Sequence, residues 1–195
     1  MSRHIAVTFD YRCPFARNGH EAVVNALRDG ADLDFRFVPF SLDQAHVAEG
    51  EPPVWERPRE EWGTGTTSLL YGIAVRDSFP DKFLDAHLAL FAARHDHGKQ
   101  LGKEDVVREA IASVGLDVDA VAEVALSGGP LKTLAAEHEE MLREHAVFGV
   151  PTFVEGDQAV FIRFMERGRV DDLERSLDLL DWSRLNEFKR TKLPR

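Results

Sequence analysis

Residues 4–14, HIAVTFDYRCP, contain a short, mostly apolar run that is followed within three residues by Cys13 and Pro14. The β-branched and aromatic residues of the run predict a buried strand. Proline suits the first position of a helix, because its missing N–H would have no intrahelical partner there. The apolar spacing of residues 15–27 therefore predicts a helix that starts near Pro14, ends before Gly30 and has Cys13 at its N-cap.

The segments that follow predict an α/β chain with a helical stretch in its middle. Residues 33–40, LDFRFVPF, alternate in hydrophobicity and predict a second strand, so the order favours two parallel strands joined by a crossover helix. The Pro- and Gly-rich residues 41–65 predict a loop, and five stretches with helical spacing come after it. Two short strands joined at Gly156-Asp157 and a helix over 170–180 complete the order β-α-β, helices, β-β-α.

Composition excludes several classes of protein. The 195 residues contain one cysteine, which rules out an internal disulfide and a cysteine-based metal cluster. The formal net charge of −10 repels a phosphate backbone, so nucleic acid is not an expected partner. No apolar run approaches the ~20 residues of a membrane helix, and the first strand begins without a secretory signal before it. We therefore expect a cytoplasmic protein with no metal site and no membrane partner.

The predicted chemistry centres on Cys13, because a helix N-terminus carries unpaired N–H groups and the positive end of the helix dipole. A thiolate at this position is expected to have a lowered pKa and to be a good nucleophile. Arg12 and Arg17 are the candidate guanidinium groups for stabilising that thiolate. The alternative interpretation is a small, buried and inert residue, since free cysteine is among the most buried residue types.

Residues 10–19, DYRCPFARNG, resemble the active-site segment of DsbA-family thioredoxin-like proteins, in particular the branch of FrnE-type oxidoreductases and 2-hydroxychromene-2-carboxylate isomerases. Residues 148–153, FGVPTF, resemble the cis-proline loop of that family, and shorter similarities lie at residues 37–42 and 113–119. The resemblance implies an α/β thioredoxin fold with an inserted all-helical domain. In the division that the resemblance implies, residues 1–62 and 147–195 form the thioredoxin fold, and residues 63–146 form the helical insertion.

The resemblance also implies a substrate site. It implies that Pro151 is cis and lies opposite Cys13, whereas the sequence alone leaves open an ordinary trans proline at the start of a strand. The residues expected to contact the substrate are Pro14, Phe15, Val150 and Pro151.

Two departures from the family pattern bear on function. The family's second active-site cysteine falls at Ala16, and an alanine cannot resolve a mixed disulfide. Residues 161–164, FIRF, replace a run that is small in many relatives. We interpret Arg163 as a surface arginine, and the alternative interpretation is an arginine that reaches toward a ligand.

The leading hypothesis is a DsbA-like thiol-disulfide oxidoreductase that works through Cys13 alone. Cys13 would form a mixed disulfide with a small-molecule or protein substrate, and glutathione or mycothiol would resolve it as a co-substrate, with no bound cofactor. The alternatives are a thiol-dependent isomerase or kappa-class-like glutathione transferase, and a redox-inactive thioredoxin-fold binding module. Related folds include homodimers, so monomer and homodimer both stay open.

Overall fold

The computed structural model describes residues 3–190, and the strands in this range are β1 (Arg3–Phe9), β2 (Leu33–Pro39), β3 (Thr152–Glu155) and β4 (Gln158–Phe161). They form one mixed sheet in the order β2-β1-β3-β4. β1 is parallel to β2, and the helix α1 (Pro14–Arg28) crosses over between them, as the sequence predicts. β3 is antiparallel to both β1 and β4, and the predicted turn at Gly156-Asp157 joins β3 to β4.

The remaining helices follow the predicted order, with a stretch of consecutive helices between β2 and β3. No helix among residues 3–190 has the length and apolar character needed to cross a membrane. Their bounds are α2 (Leu42–Ala45), α3 (Thr66–Ser78), α4 (Phe83–His95), α5 (Glu104–Ala112), α6 (Val118–Ala125), α7 (Gly129–His145) and α8 (Val170–Asp178).

The prediction of a loop for residues 41–65 is incomplete. α2 begins after Ser41, whose side-chain oxygen accepts a hydrogen bond from Gln44 N at 3.1 Å and so caps the helix. Two short 3-10 turns follow at Val54–Glu56 and Arg59–Glu61. Such turns are only three residues long, so they are too short to show a hydrophobic period in the sequence.

Helix α3 is the centre of the helical segment, which we define as α3 to α7. Every residue of α3 from Thr66 to Val75 is buried, which is the pattern of a helix with neighbours on all sides. α3 packs against α4, α5, α6 and α7, while α1 packs against α4 and α8, and α7 packs against β2. The helical segment and the sheet therefore share one hydrophobic core.

A buried hydrogen-bond chain joins the helical segment to the sheet. The Tyr11 hydroxyl bonds to His87 Nδ1 at 2.9 Å, and His87 Nε2 bonds to His20 Nδ1 at 2.9 Å. His20 Nε2 bonds to the Thr8 carbonyl at 3.1 Å. Burial lowers the pKa of His20 to about 4 and the pKa of His87 well below its ordinary value, so both rings are neutral at neutral pH.

The direction of each hydrogen bond in this chain follows from the Thr8 carbonyl at its end. A carbonyl oxygen only accepts, so His20 Nε2 carries the proton and His20 Nδ1 accepts from His87 Nε2. His87 Nδ1 then accepts from the Tyr11 hydroxyl. A proton added to His20 Nδ1 would face the N–H of His87 Nε2, donor against donor, so these bond directions hold while His20 is neutral.

His138 on α7 is another buried histidine, stacked on Phe40 with ring centroids 4.1 Å apart. Burial lowers the pKa of His138 to about 4. Below about pH 6.5 the unfolded state therefore binds a proton at His138 more readily than the folded state does. As the pH is lowered through this range, His138 reduces the free energy of unfolding by about 1.4 kcal/mol per pH unit. We expect His138→Gln to make the free energy of unfolding depend less steeply on pH between about pH 6 and about pH 4.5. The reduction should be up to about 1.4 kcal/mol per pH unit, measured by urea denaturation at each pH.

The matched control for this experiment is His97→Gln. His97 is exposed, so its replacement removes an imidazole without removing a buried one. The control should keep the slope of the wild-type protein. Equal slopes for the wild type and His138→Gln would contradict a neutral, buried imidazole on α7.

Candidate active site

The loop between β1 and α1 is held by the buried carboxylate of Asp10. Asp10 Oδ1 accepts from Arg12 N and Asp10 Oδ2 accepts from Leu42 N, each at 2.9 Å. The Asp10 carbonyl accepts from Cys13 N at 3.0 Å, which closes the turn. Burial raises the pKa of the Asp10 carboxyl, and the Arg12 charge acts in the opposite direction. Asp10 thus fixes the backbone that delivers Cys13 to the start of α1.

Cys13 is the N-cap of α1, as the sequence predicts, and its backbone is extended, with φ −84° and ψ 118°. Cys13 Sγ accepts a hydrogen bond from Ala16 N at 3.4 Å. The thiol donates to the Val150 carbonyl at 3.3 Å. The residue is half-buried. The sulfur therefore joins the helix N-terminus to the loop before β3 and keeps partial access to solvent.

The loop that carries the Val150 carbonyl is fixed between β1 and α1. The Val150–Pro151 peptide bond is cis. Thr152 N donates to Thr8 Oγ1 at 2.8 Å, which ties the start of β3 to β1. Pro151 packs against α1 at Gly19, where a Cβ atom would lie 3.3 Å from Pro151 Cγ. A glycine at this position allows the proline ring to approach the helix.

The expectation of a lowered pKa at Cys13 is wrong in this structure. Burial raises the pKa of the Cys13 thiol above its ordinary value, and the charge of Asp10 acts in the same direction. The backbone N–H groups of Ala16 and Phe15 lower this pKa, as expected at a helix N-terminus, and so does the charge of Arg163. Burial outweighs them, so Cys13 is a protonated thiol at neutral pH.

Arg12 and Arg17, the predicted thiolate partners, are engaged with carboxylates instead. Arg12 Nη1 bonds to Asp43 Oδ1 at 2.7 Å. Arg17 pairs with Glu21 and with Asp96. A guanidinium group binds a carboxylate through charge-assisted hydrogen bonds, which are stronger than a contact with a neutral thiol. Both arginines therefore connect the site to neighbouring structure, and stabilisation of a Cys13 thiolate by either one stays a prediction.

The helical segment supports the active-site loop through residues that no sequence motif indicates. His95 at the end of α4 donates through Nε2 to the Tyr11 carbonyl at 2.9 Å. Asp43 accepts from Gly65 N and Thr66 N at the start of α3, at 3.0 and 3.2 Å. His95 lies 84 residues after Tyr11, and Gly65 and Thr66 lie 22 and 23 residues after Asp43. Only the folded chain brings these partners together.

An aromatic surface, formed by Phe15, Phe148 and Phe161, adjoins Cys13 and carries one guanidinium group. The Arg163 guanidinium carbon lies 5.6 Å from the Phe15 ring centroid and 5.8 Å from that of Phe161, within cation–π range. Phe148 is 72% exposed, and its ring centroid lies 5.0 Å from that of Phe161. The interpretation of Arg163 as an ordinary surface arginine misses these contacts, because the hairpin β3–β4 reaches α1 only in the fold.

The predicted substrate residues take different positions at the site. Pro14 is exposed and Phe15 is half-buried, whereas the side chains of Val150 and Pro151 are buried. Val150 therefore presents its carbonyl and not its side chain. Contact of these four residues with a substrate stays a prediction.

The pKa of Cys13 can be measured through the pH dependence of its alkylation by iodoacetamide, because only the thiolate reacts. We expect a midpoint above the ordinary thiol value. Arg163→Gln should move the midpoint further up, because the Arg163 charge lowers the pKa of Cys13. Arg28→Gln is the matched control, since Arg28 carries the same charge at the other end of α1, about 20 Å along the helix. A midpoint below that of a free cysteine peptide would contradict burial as the dominant cause.

Comparisons with known proteins agree with this architecture. Residues 68–178, more than half of the chain, match the DSBA-like thioredoxin domain family. The uncharacterized protein YwbO of Bacillus subtilis (strain 168) is 25% identical and aligns with 82% of this chain and 90% of its own length.

Two solved structures share the fold at low sequence identity. A variant of DsbA from Pseudomonas aeruginosa superposes with a TM-score of 0.65 and 18% identity, over 94% of this chain and 88% of that chain. The oxidoreductase DsbA from Xylella fastidiosa superposes with a TM-score of 0.63 and 18% identity, over 94% and 87%. Both likenesses confirm the predicted thioredoxin fold with its inserted helices. By its fold and by the sequence of more than half its length, the chain belongs to the DSBA-like thioredoxin domain family of thiol-disulfide oxidoreductases.

Proposed function

We propose that this protein is a monothiol oxidoreductase in which Cys13 exchanges disulfides without a second cysteine. One observation carries the proposal: the Cys13 sulfur lies between the start of α1 and the Val150 carbonyl, and the buried methyl group of Ala16 stands one turn away. Cys13 is the single cysteine of the chain, so the sulfur that completes the reaction must come from another molecule.

The reaction begins when the Cys13 thiol gives its proton to solvent and the thiolate attacks a substrate disulfide, R–S–S–R′. A Cys13–S–S–R bond forms, the substrate S–S bond breaks, and R′S⁻ leaves and takes up a proton. The thiolate of glutathione or mycothiol then attacks the R sulfur and releases the Cys13 thiolate. When R is the same small thiol, the products are R′SH and the disulfide of two small thiols, so electrons balance.

The surroundings of the sulfur support both steps. The N–H groups of Ala16 and Phe15 favour the thiolate, while the Val150 carbonyl accepts the S–H of the resting thiol. A substrate N–H that bonds to this carbonyl would compete with the S–H and release it. Substrate binding and ionisation of Cys13 are therefore coupled in this mechanism.

The raised pKa of Cys13 sets the expected kinetics. A more basic thiolate is less abundant at neutral pH but more nucleophilic, with a Brønsted slope of about 0.4–0.5. The same basicity makes Cys13 a poor leaving group when a second thiol attacks the mixed disulfide. We therefore expect resolution by the external thiol to limit the rate.

The test is a steady-state assay in which a mixed disulfide of glutathione is reduced at several concentrations of reduced glutathione. We expect ping-pong kinetics, a rate that rises with the concentration of reduced glutathione, and loss of activity in Cys13→Ser. In Ala16→Cys the introduced sulfur should displace the R thiol from Cys13 and form an internal disulfide, so two equivalents of thiol are released per protein without any external thiol, whereas the wild type releases one.

The matched control is Ala22→Cys, which adds a thiol at another buried position of α1. It lies about 9 Å further along the helix than Ala16, too far to bond with Cys13. Without external thiol this variant should release one equivalent of thiol from Cys13, like the wild type. Full activity in Cys13→Ser, or a rate independent of reduced glutathione, would contradict the proposal.

A second candidate function, a thiol-dependent isomerase or kappa-class-like glutathione transferase, is favoured by the raised pKa of Cys13. A thiol that keeps its proton can donate a hydrogen bond to the thiolate of a bound cofactor thiol. The aromatic surface beside it would then accommodate an apolar substrate.

Calorimetric titration with reduced glutathione separates the two functions. The monothiol mechanism predicts a covalent adduct from oxidised glutathione and no lasting complex with the reduced form. A tight complex with reduced glutathione that survives in Cys13→Ser, without adduct formation by the wild type, would favour the isomerase or transferase instead.

A further inference from the structure

Arg163 is the charged group of the aromatic surface, and it has no ion-pair partner within residues 3–190, whereas Arg12 and Arg17 are both paired. The side chain is exposed. Its guanidinium group is held by the Phe15 and Phe161 rings, 5.6 and 5.8 Å from their centroids. A cation–π contact positions a guanidinium without neutralising its charge, so Arg163 can still bind an anion.

The position of Arg163 places that charge beside the reacting sulfur. Phe15, which Arg163 contacts, is the second residue after Cys13. The charge of Arg163 is also felt by the thiol, since it lowers the pKa of Cys13. A ligand whose sulfur reaches Cys13 therefore has its neighbouring atoms near the guanidinium group.

The charge of the whole chain makes this local cation significant. At a net charge of −10 the protein repels an anionic ligand on average, so an anion can approach Cys13 favourably only where the local charge is positive. A guanidinium group presents N–H donors in a planar fork that matches a carboxylate. The rings of Phe148 and Phe161 offer apolar contact for the methylene groups of such a ligand.

We infer that Arg163 is a specificity residue that makes Cys13 prefer small thiols and disulfides carrying a carboxylate group. This inference rests on the proposed function, since it concerns the partner of the same sulfur. It distinguishes the two candidate co-substrates, because glutathione carries carboxylate groups and mycothiol carries none.

The experiment compares three aliphatic disulfides of similar size: dithiodipropionate, which is anionic, hydroxyethyl disulfide, which is neutral, and cystamine, which is cationic. The rate of Cys13 adduct formation is followed by intact mass at low ionic strength. We expect the anionic disulfide to react about three- to tenfold faster than the neutral one, after each rate is divided by that of a free cysteine peptide. Cystamine should react more slowly than both, and added salt should reduce the differences.

The variants Arg163→Gln and Arg163→Lys assign the preference to the guanidinium group. The quantity compared is the ratio of anionic to neutral rates, because a change in the pKa of Cys13 alters both rates and cancels in the ratio. We expect the ratio to approach one in Arg163→Gln and to be partly kept in Arg163→Lys. Arg28→Gln, which removes an equal charge at the far end of α1, should keep the wild-type ratio.

The outcomes separate this inference from the proposed function. If all three disulfides form adducts and the ratio is equal in wild type and Arg163→Gln, the role of Arg163 is overturned while monothiol exchange stands. If none of the disulfides forms an adduct with the wild type, both are overturned. A ratio lost equally in Arg28→Gln would assign the preference to net charge and would also overturn the role of Arg163.

Discussion

The two hydrogen bonds of the Cys13 sulfur connect the separate halves of the α/β part of the chain. The donor, Ala16 N, belongs to the N-terminal β-α-β unit, and the acceptor, the Val150 carbonyl, lies 137 residues after Cys13. Pairing of β1 with β3 brings these halves together. The site is therefore complete only in the folded sheet, and its geometry depends on whatever fixes the loop before β3 and the turn before α1.

Burial governs the ionisation of the groups around that sulfur. It raises the pKa of Cys13 and of Asp10, and it lowers the pKa of His20 and His87. All four effects favour the uncharged form, because each group is removed from water. The burial that keeps the Cys13 thiol protonated also keeps His20 and His87 neutral, and the hydrogen-bond chain through these two rings joins the helical segment to the sheet.

The sequence predicts the fold well because the features that define it are local. The apolar run before Cys13, the proline after it and the glycine-containing turn at Gly156-Asp157 each act within a few residues, and the structure contains the strand, helix and hairpin that they indicate. The position of Cys13 at a helix N-cap follows from the same local pattern. The short turns between residues 41 and 65 are missed because they have no period to detect.

The electrostatics of the site could not be predicted in the same way, because they depend on distant partners. Arg12 forms an ion pair with Asp43, and Arg163 contacts Phe15 only because the β3–β4 hairpin lies against the start of α1. The sign of the pKa shift at Cys13 depends on the balance between helix N–H groups and burial. The N–H groups are visible in the sequence as a helix start, whereas burial is a property of the packed chain.

Monothiol exchange at Cys13 can be tested by the intact mass of the reduced protein after incubation with oxidised glutathione. We expect one glutathione adduct, located on Cys13 by peptide mapping, that persists after removal of excess reagent and is released by added reduced glutathione. An unmodified mass under conditions in which a free cysteine peptide is fully converted would contradict it.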